Sequence, residues 1–255
     1  RVTMLDGSDP PQGWTGKMWA VAQGITAATA QFPSATYYLL TDADIAHHPE
    51  NLTELMAKAL DGKLALVSLM VRLRCETWWE HLLMPAFVFF FQKLYPFSWV
   101  NNPDKKTAGA AGGCMLVKRS ALEKAGGIEK IKGEIIDDCA LAKLLKKSDP
   151  IWLGLTRSTS SLRGYITLPD VWRMVCRTAF VQLNHSALKL AGTEIGMVII
   201  YLVPIASILA GFFSQEFEML TVGLAAWAFM AVAYTPPLRL YSRPAWEACL
   251  LPLAA

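Results

Sequence analysis

The sequence predicts an α/β layered domain built on a mixed sheet, followed by helices that cross a membrane. Three observations lead there. Short apolar runs alternate with helix-periodic stretches through the N-terminal half, the pattern of strand–helix–strand layers. Two charge-free runs, Ile195 to Phe213 and Met219 to Leu238, stand together near the C-terminus. Each is close to the roughly 20 residues that a helix needs to span hydrocarbon. Third, 53% of the 255 residues are hydrophobic and the mean hydropathy is +0.31, an apolar excess concentrated in that last quarter. A pair of buried core helices is the alternative for these runs; their length and adjacency favour spans.

Taken in order, Val2 to Leu5 is strand-like, and Asp6 to Gly16, rich in Gly, Pro and Asp, is a loop. A helix is expected from Lys17 to about Ala30. Ala35 to Leu40 is a short apolar strand that stops at Thr41-Asp42-Ala43-Asp44. Pro49 and the periodic Leu52, Leu55, Met56 and Leu60 mark the next helix, and Leu64 to Leu73 the next strand. His81 to Trp99 is crowded with aromatic residues around Pro85 and Pro96. It is read either as a helix buried under the sheet or as an interfacial segment near lipid headgroups. Ala108 to Gly113 is small and flexible, Cys114 to Val117 strand-like, and Ser120 opens a helix. Glu134 to Asp138 leads into a helix from Cys139 to Lys147. After a loop from Leu162 to Asp170, Val171 to Leu190 reads as an amphipathic juxtamembrane helix. The expected organisation is a catalytic domain over 1–170, that helix over 171–190, and a membrane region over 191–255. The spans lie at about 195–213 and 219–238, and a third apolar helix starts at 249. Residue 1 is Arg and the last residues are still apolar, so truncation at both ends is expected.

Charge placement orients the spans. Arg173, Arg177 and Lys189 precede the first, Arg239 and Arg243 follow the second, and the short link between them carries Glu216 and Glu218. Basic flanks stay in the cytoplasm, which puts the first 190 residues there. A net charge of +3 has no basic stripe behind it, so a nucleic-acid partner is not expected. Five cysteines without a C-x-x-C pair fit reduced cytoplasmic thiols and argue against a disulfide framework or zinc site.

Four features carry chemistry. Asp42 and Asp44, one residue apart at the end of an apolar strand, fall where open α/β sheets bind ligands. Carboxylates so close repel unless a cation joins them, and oxygen donors suit Mg²⁺ or Mn²⁺, which neutralises a departing diphosphate. Asp137 and Asp138 open a helix; capping needs one of them, and the other is free to act as a general base. Gly112 and Gly113 permit a close backbone approach or form a plain tight turn. Gly13-Trp14-Thr15-Gly16-Lys17 is not a phosphate loop, but Lys17 at a helix start is placed to meet a phosphate or an acidic partner. His47 and His48 are candidate metal ligands against a solvated loop, with the loop favoured. Arg72, Arg74, Arg173 and Arg177 are candidates to clamp a diphosphate, and the last two serve equally as basic flanks.

In this order and spacing, G-W-x-G-K at 13–17, D-A-D at 42–44, G-G-C at 112–114 and D-D at 137–138 resemble the family 2 glycosyltransferases. The likeness is strongest to their hopene-associated branch, through TDADIAHHPENL, LVSLMVRLRCE, PAFVFFFQKLYPF, AAGGCMLVKR and IDDCALAKLLK. The resemblance covers nearly the whole chain. It implies a GT-A, Rossmann-type mixed sheet with helices on both faces, lacking its first strand here, and an integral protein of a bacterial inner membrane. The implied activity is inverting transfer from a nucleotide-sugar to a lipid acceptor of hopanoid-related type. By the same resemblance Asp44 is the principal Mg²⁺ or Mn²⁺ ligand and Asp42 helps hold metal and nucleotide. Asp138 is the base beside Asp137, and Gly113 and Cys114 line the acceptor side. The (Q/R)xxRW motif of processive and ceramide-type members is absent from Val171 to Thr178, which argues against a polymerase and leaves Arg177 as its candidate substitute. A metal-dependent nucleotidyl- or phosphotransferase acting on a lipid, and a non-catalytic membrane scaffold, are the rival readings. The sequence does not set the oligomeric state.

Overall fold

The computed structural model describes residues 2–255, apart from the side chains of 177 and 178. The chain forms two compact units: Arg1–Arg72 with Tyr95–Leu162, and Leu73–Leu94 with Arg163–Ala255.

The first unit is a mixed α/β layer. Helix α1 (Gly16–Gln31) starts where Thr15 Oγ1 accepts from Met18 N at 3.3 Å, and it ends before Pro33. Strand β1 (Tyr37–Thr41) leads through Asp42-Ala43-Asp44 into the two-residue strand β2 (Ile45–Ala46). Helix α2 (Asn51–Asp61) buries Asn51, Leu55 and Ala59, one stripe at four-residue spacing. Strand β3 (Leu66–Arg72) is buried over its first six residues, as a central strand covered on both faces should be. In chain order, α3 (Trp78–Leu94) belongs to the second unit. The first unit resumes with the single turn α4 (Phe97–Val100), β4 (Cys114–Lys118), α5 (Arg119–Lys124), a 3₁₀ turn at Ile128–Ile131, α6 (Asp137–Leu145) and β5 (Ile151–Ser161).

The sheet runs β1-β4-β3-β5-β2. Strand β4 is antiparallel to both β1 and β3, β5 is parallel to β3, and β2 is antiparallel to β5. The mixed sheet is therefore as expected, with differences in detail. Val2 to Leu5 is exposed and forms no strand. Strand β5 escapes sequence reading because Thr156, Arg157, Ser158, Thr159 and Ser160 break its apolar pattern and its register shifts against β3. The core joins Leu55, Ala59, Leu64, Val67, Leu69, Val71, Cys114 and Leu116.

Two side chains hold the long loop before β4. Asn101 exchanges hydrogen bonds with the Leu153 backbone at 2.7 and 3.0 Å, imitating a strand neighbour. The Lys146 ammonium donates to the carbonyls of Trp99, Val100 and Thr107 at 2.9, 2.7 and 2.6 Å.

The second unit is helical. Besides α3 it contains α7 (Leu168–Gln182), opened by a capping box of Thr167 and Asp170. Then come α8 (Ala187–Met197), a π-helical turn at Val198–Leu202 and α9 (Val203–Ser214), which together make one 28-residue helix, Ala187–Ser214. Helix α10 (Phe217–Leu240), a 3₁₀ turn at Ala245–Leu250 and α11 (Leu251–Ala254) complete the chain. Only 11% and 17% of the most apolar windows of Ala187–Ser214 and Phe217–Leu240 are buried. Both are thus long and apolar enough to cross a bilayer, and both expose that apolar surface. They meet closely where a Cβ on Gly211 would lie 2.6 Å from Leu220 N and one on Gly223 2.9 Å from Pro204 O, so side chains are excluded there.

The 171–190 helix proves to be two. Asn184 and His185, both with φ of 54°, break it, and Ser186 caps the next segment. The apolar stretch expected from 249 lies in the helix Ala245–Ala254. The aromatic segment is divided between the units. Its α3 part packs Phe89 on Tyr234 and Phe90 on Tyr201 with ring centroids 5.5 and 5.7 Å apart. It is a partly buried helix, packed against other helices of the second unit.

The start of α3 depends on Glu80, a carboxylate with no exposed surface. It accepts from the backbone N–H groups of Glu76 and Thr77 at 3.0 Å each and of Tyr165 at 2.7 Å. Burial works to raise its pKa, but the Thr77, Glu76 and Tyr165 N–H groups hold it below the ordinary glutamate value. Glu80→Ala leaves these donors unpaired and should destabilise the protein by about 3 kcal/mol, read as a lower melting temperature in detergent. Because the folded pKa is depressed, this stabilisation is present above about pH 4.3 and lost as the pH falls through the depressed value.

Candidate active site

Antiparallel pairing of β1 with β4 brings two of the motifs together. Thr41 stands opposite Cys114, so the chain leaving β1 as Asp42-Ala43-Asp44 runs beside the chain entering β4 as Gly112-Gly113. Thr41 Oγ1 bonds to Gly113 O at 2.8 Å and to His47 Nε2 at 2.8 Å. His47 Nδ1 lies 3.0 Å from Asn51 Nδ2, which also approaches Cys114 Sγ at 3.7 Å. His47 lies in the loop after β2, as expected, but is half-buried there. It is part of a hydrogen-bonded chain that fixes the Asp42–Asp44 turn to α2 and β4, whereas His48 is exposed.

The other two motifs arrive at the same place. The loop before α1 is tied to the loop before α6 by Thr15 N donating to Lys132 O at 2.9 Å. Lys17, in the first turn of α1, thereby points its ammonium between two carboxylates: 3.1 Å from Asp137 Oδ2 and 3.5 Å from Asp42 Oδ1. Burial opposes its charge, but Asp137 and then Asp42 keep its pKa above the usual lysine value. Asp138 turns the other way. Its Oδ2 accepts from Gly112 N at 2.8 Å and its Oδ1 from Cys139 N at 2.7 Å. Burial, then the neighbouring Asp137, raise its pKa above the ordinary carboxylate range, against the opposing pull of these two N–H groups and Lys17.

Lys17, Asp42, Gly112 and Asp137 share the wall of a cleft of about 450 Å³, whose remaining lining is largely apolar. A Cβ on Gly112 would come within 3.4 Å of both Asp138 Oδ2 and Lys17 Nζ, so the absence of a side chain keeps the cleft open to both. Of the glycine pair expected to permit a close approach, Gly112 lines the cleft, whereas the family resemblance implied Gly113 and Cys114 on the acceptor side. Those two do not line the cleft. A Cβ on Gly113 would face Val71 and Ile45, and Cys114 is fully buried in the core, its thiol pKa raised by that burial. The thiol of Cys139, pushed up to about 12 by burial and then by Asp138, is likewise inert. His47, a candidate metal ligand by sequence, serves here as a link between Thr41 and Asn51, two residues that the motifs do not single out.

Asp44 is partly buried in the turn, and its carbonyl accepts from Leu162 N at 2.7 Å. Among the described residues no group of three or more His, Cys, Asp or Glu side chains converges as a metal cage. Two carboxylates still fit a hard cation that takes its other ligands from phosphate and water. Lys17 already supplies one positive charge to Asp42 and Asp137. Of the arginines, Arg74 pairs with Glu76 at 2.6 Å and Arg173 with Asp170 at 2.6 Å. The Arg177 side chain lies outside the described residues.

Residues 12–253 match the family described as Glycosyl transferase family 21. The chain belongs to this family. No curated protein matches it. Membership makes the protein a glycosyltransferase, with a donor sugar and an acceptor, and favours sugar transfer over the nucleotidyl-transfer and scaffold readings. The family matched is 21, where the motifs resembled family 2 and its hopene-associated branch.

The Gly112 geometry separates two substitutions. Gly112→Ala meets ordinary contact distances and should keep sugar-transfer activity within about threefold of the parent. Gly112→Val must displace Asp138 or Lys17 and should lower kcat/KM by about a hundredfold, a loss of about 2.7 kcal/mol.

Proposed function

We propose that this family 21 protein is a membrane-bound, metal-dependent inverting transferase of GT-A type, which moves a sugar from a nucleotide-sugar to a lipid hydroxyl at the cytoplasmic face. The observation that carries it is the convergence of Lys17, Asp42, Gly112 and Asp137 on the wall of one cleft, with Asp138 hydrogen-bonded to Gly112 N beside it. Four stretches far apart in the chain supply charged groups or backbone donors suited to a diphosphate, a cation and a hydroxyl. The two exposed apolar helices support the membrane and lipid parts of the reading. The hopanoid class of acceptor rests on motif resemblance alone.

In this reading Asp42 and Asp44 hold Mg²⁺ or Mn²⁺, which supplies Lewis-acid neutralisation of the nucleoside diphosphate as it leaves. Lys17 offsets charge on the same side, and Asp137 keeps the ammonium in place. Asp138 takes the proton of the acceptor hydroxyl. Its two backbone hydrogen bonds occupy one lone pair on each oxygen and leave others for the substrate, and its raised pKa makes it a stronger base. Gly113 and Cys114 support the acceptor side from behind the wall.

Membranes holding the full-length protein, incubated with a panel of labelled nucleotide-sugars and then extracted for lipid, should yield one labelled lipid class and free nucleoside diphosphate. Release of pyrophosphate would contradict the reading. Asp138→Asn should cut turnover by about 10²- to 10⁴-fold while donor binding stays within about twofold, and unchanged turnover removes Asp138 as the base. The acid limb of kcat/KM should lie above the ordinary aspartate range, because Asp138 must be deprotonated and its pKa is raised; activity falls as the pH drops through that value.

A further inference from the structure

Strand β3 carries a single polar residue, Ser68, among its first six. Ser68 has no exposed surface, and its strand neighbours Val67 and Leu69 are buried and apolar. A hydroxyl in such a place costs stability unless its hydrogen bonds are made. Here they are made with one residue of another segment. Ser68 Oγ donates to Ala111 O at 3.1 Å and accepts from Ala111 N at 2.9 Å.

This exchange takes over where the β3–β4 ladder stops. The pairing runs from Leu66 with Val117 to Ser68 with Met115. Before β4 the chain turns, with Cys114 N donating to Ala111 O at 3.3 Å, so Ala111 is out of register for a strand partner. The Ser68 hydroxyl stands in for that partner, since buried backbone groups must be paired. Next along the chain, Gly112 N donates to Asp138 Oδ2 at 2.8 Å. On the other side, Cys139 Sγ donates to Ala110 O at 3.5 Å. Residues 110–112 are thus held between β3 and the first turn of α6.

The peptide bond makes this more than the pinning of a loop. The Ala111 carbonyl and the Gly112 N–H belong to one planar unit and point in opposite directions. Ser68 grips the carbonyl end, and Asp138 receives the N–H end. Rotation of that plane would break both bonds together. We propose that Ser68 is a positioning residue for the transfer step, which aims the Gly112 N–H at the Asp138 carboxyl through the Ala111–Gly112 peptide. Its bearing on catalysis rests on the reading of Asp138 as the base.

The consequence has a definite sign. The Asp138 carboxyl is pushed up by burial and then by Asp137, and the N–H groups of Cys139 and Gly112 and the Lys17 ammonium oppose this. The Cys139 thiol also adjoins it. Ser68 carries no charge, so removing its hydroxyl reaches Asp138 through the freed Gly112 N–H and not through a changed field. A donor that favours the ionised form is then lost, and Asp138 holds its proton up to a higher pH.

The test compares the full chain in detergent with Ser68→Ala, which removes the hydroxyl, and Ser68→Thr, which keeps it. An infrared titration follows the carboxyl band that Asp138→Asn deletes, with no ligand present. Its midpoint should move to higher pH in Ser68→Ala and return toward the parent in Ser68→Thr. With the labelled nucleotide-sugar that the membrane assay turns over, the loss of kcat/KM in Ser68→Ala should be about threefold larger on the acid limb than on the plateau. Where Ser68→Ala does not fold, Ser68→Cys, a weaker hydrogen-bonding group of similar size, should shift the midpoint in the same direction by less. An unmoved midpoint in a folded variant marks Ser68 as a structural hydroxyl and overturns the proposal. A midpoint that moves while Asp138→Asn keeps the parent's turnover supports the hold of Ser68 on Asp138 and overturns the base reading instead.

Discussion

Everything in the first unit's site depends on one electrostatic constraint: aspartates from two distant motifs are brought together around a single ammonium. Lys17 touches Asp42 and Asp137 at once, and Asp138 lies immediately beyond Asp137. Burial raises the Asp138 pKa, and the neighbouring Asp137 charge adds to the effect. Such an arrangement is costly to fold unless cations compensate it. Lys17 supplies part of the compensation from the protein; in the proposed reading a metal and the diphosphate supply the remainder.

The scaffold answers that constraint with backbone groups. The pairing of Thr41 with Cys114 fixes the D-A-D turn beside the glycines. The Gly112 N–H then holds Asp138, and the bond from Thr15 to Lys132 sets the start of α1 against the start of α6. Each link is a hydrogen bond from a rigid element, so no flexible side chain has to find its place unaided. The half-buried His47, bonded to the buried Asn51, extends this support behind the turn.

Much of this was legible in the sequence. Helix α1, strands β1, β3 and β4 and helix α6 follow from periodicity and punctuation, because each has one clear apolar face or run. Both long apolar helices were visible for the same reason. What escaped depends on tertiary partners. Strand β5 holds its place by pairing with β3 and with Asn101 despite its polar tail. Strand β2 has two residues and no pattern. The break at Asn184–His185 comes from left-handed backbone that a continuous amphipathic period conceals. At the site, motif spacing singled out Lys17, Asp42, Asp137 and Asp138 but could not tell which glycine faces the cleft. Gly112 lies in the turn before β4, on the cleft wall, whereas Cys114 opens the strand and is buried in the core.

The central claim is that Lys17 and Asp137 act as one unit in handling the donor, and a double-mutant cycle tests it most directly. The kcat/KM for the nucleotide-sugar would be measured for the parent, Lys17→Met, Asp137→Asn and the double variant. Coupling through the 3.1 Å contact predicts an interaction energy above about 1 kcal/mol, with the double variant little worse than the poorer single one. Effects that add to within about 0.5 kcal/mol would contradict it and separate the two residues' roles.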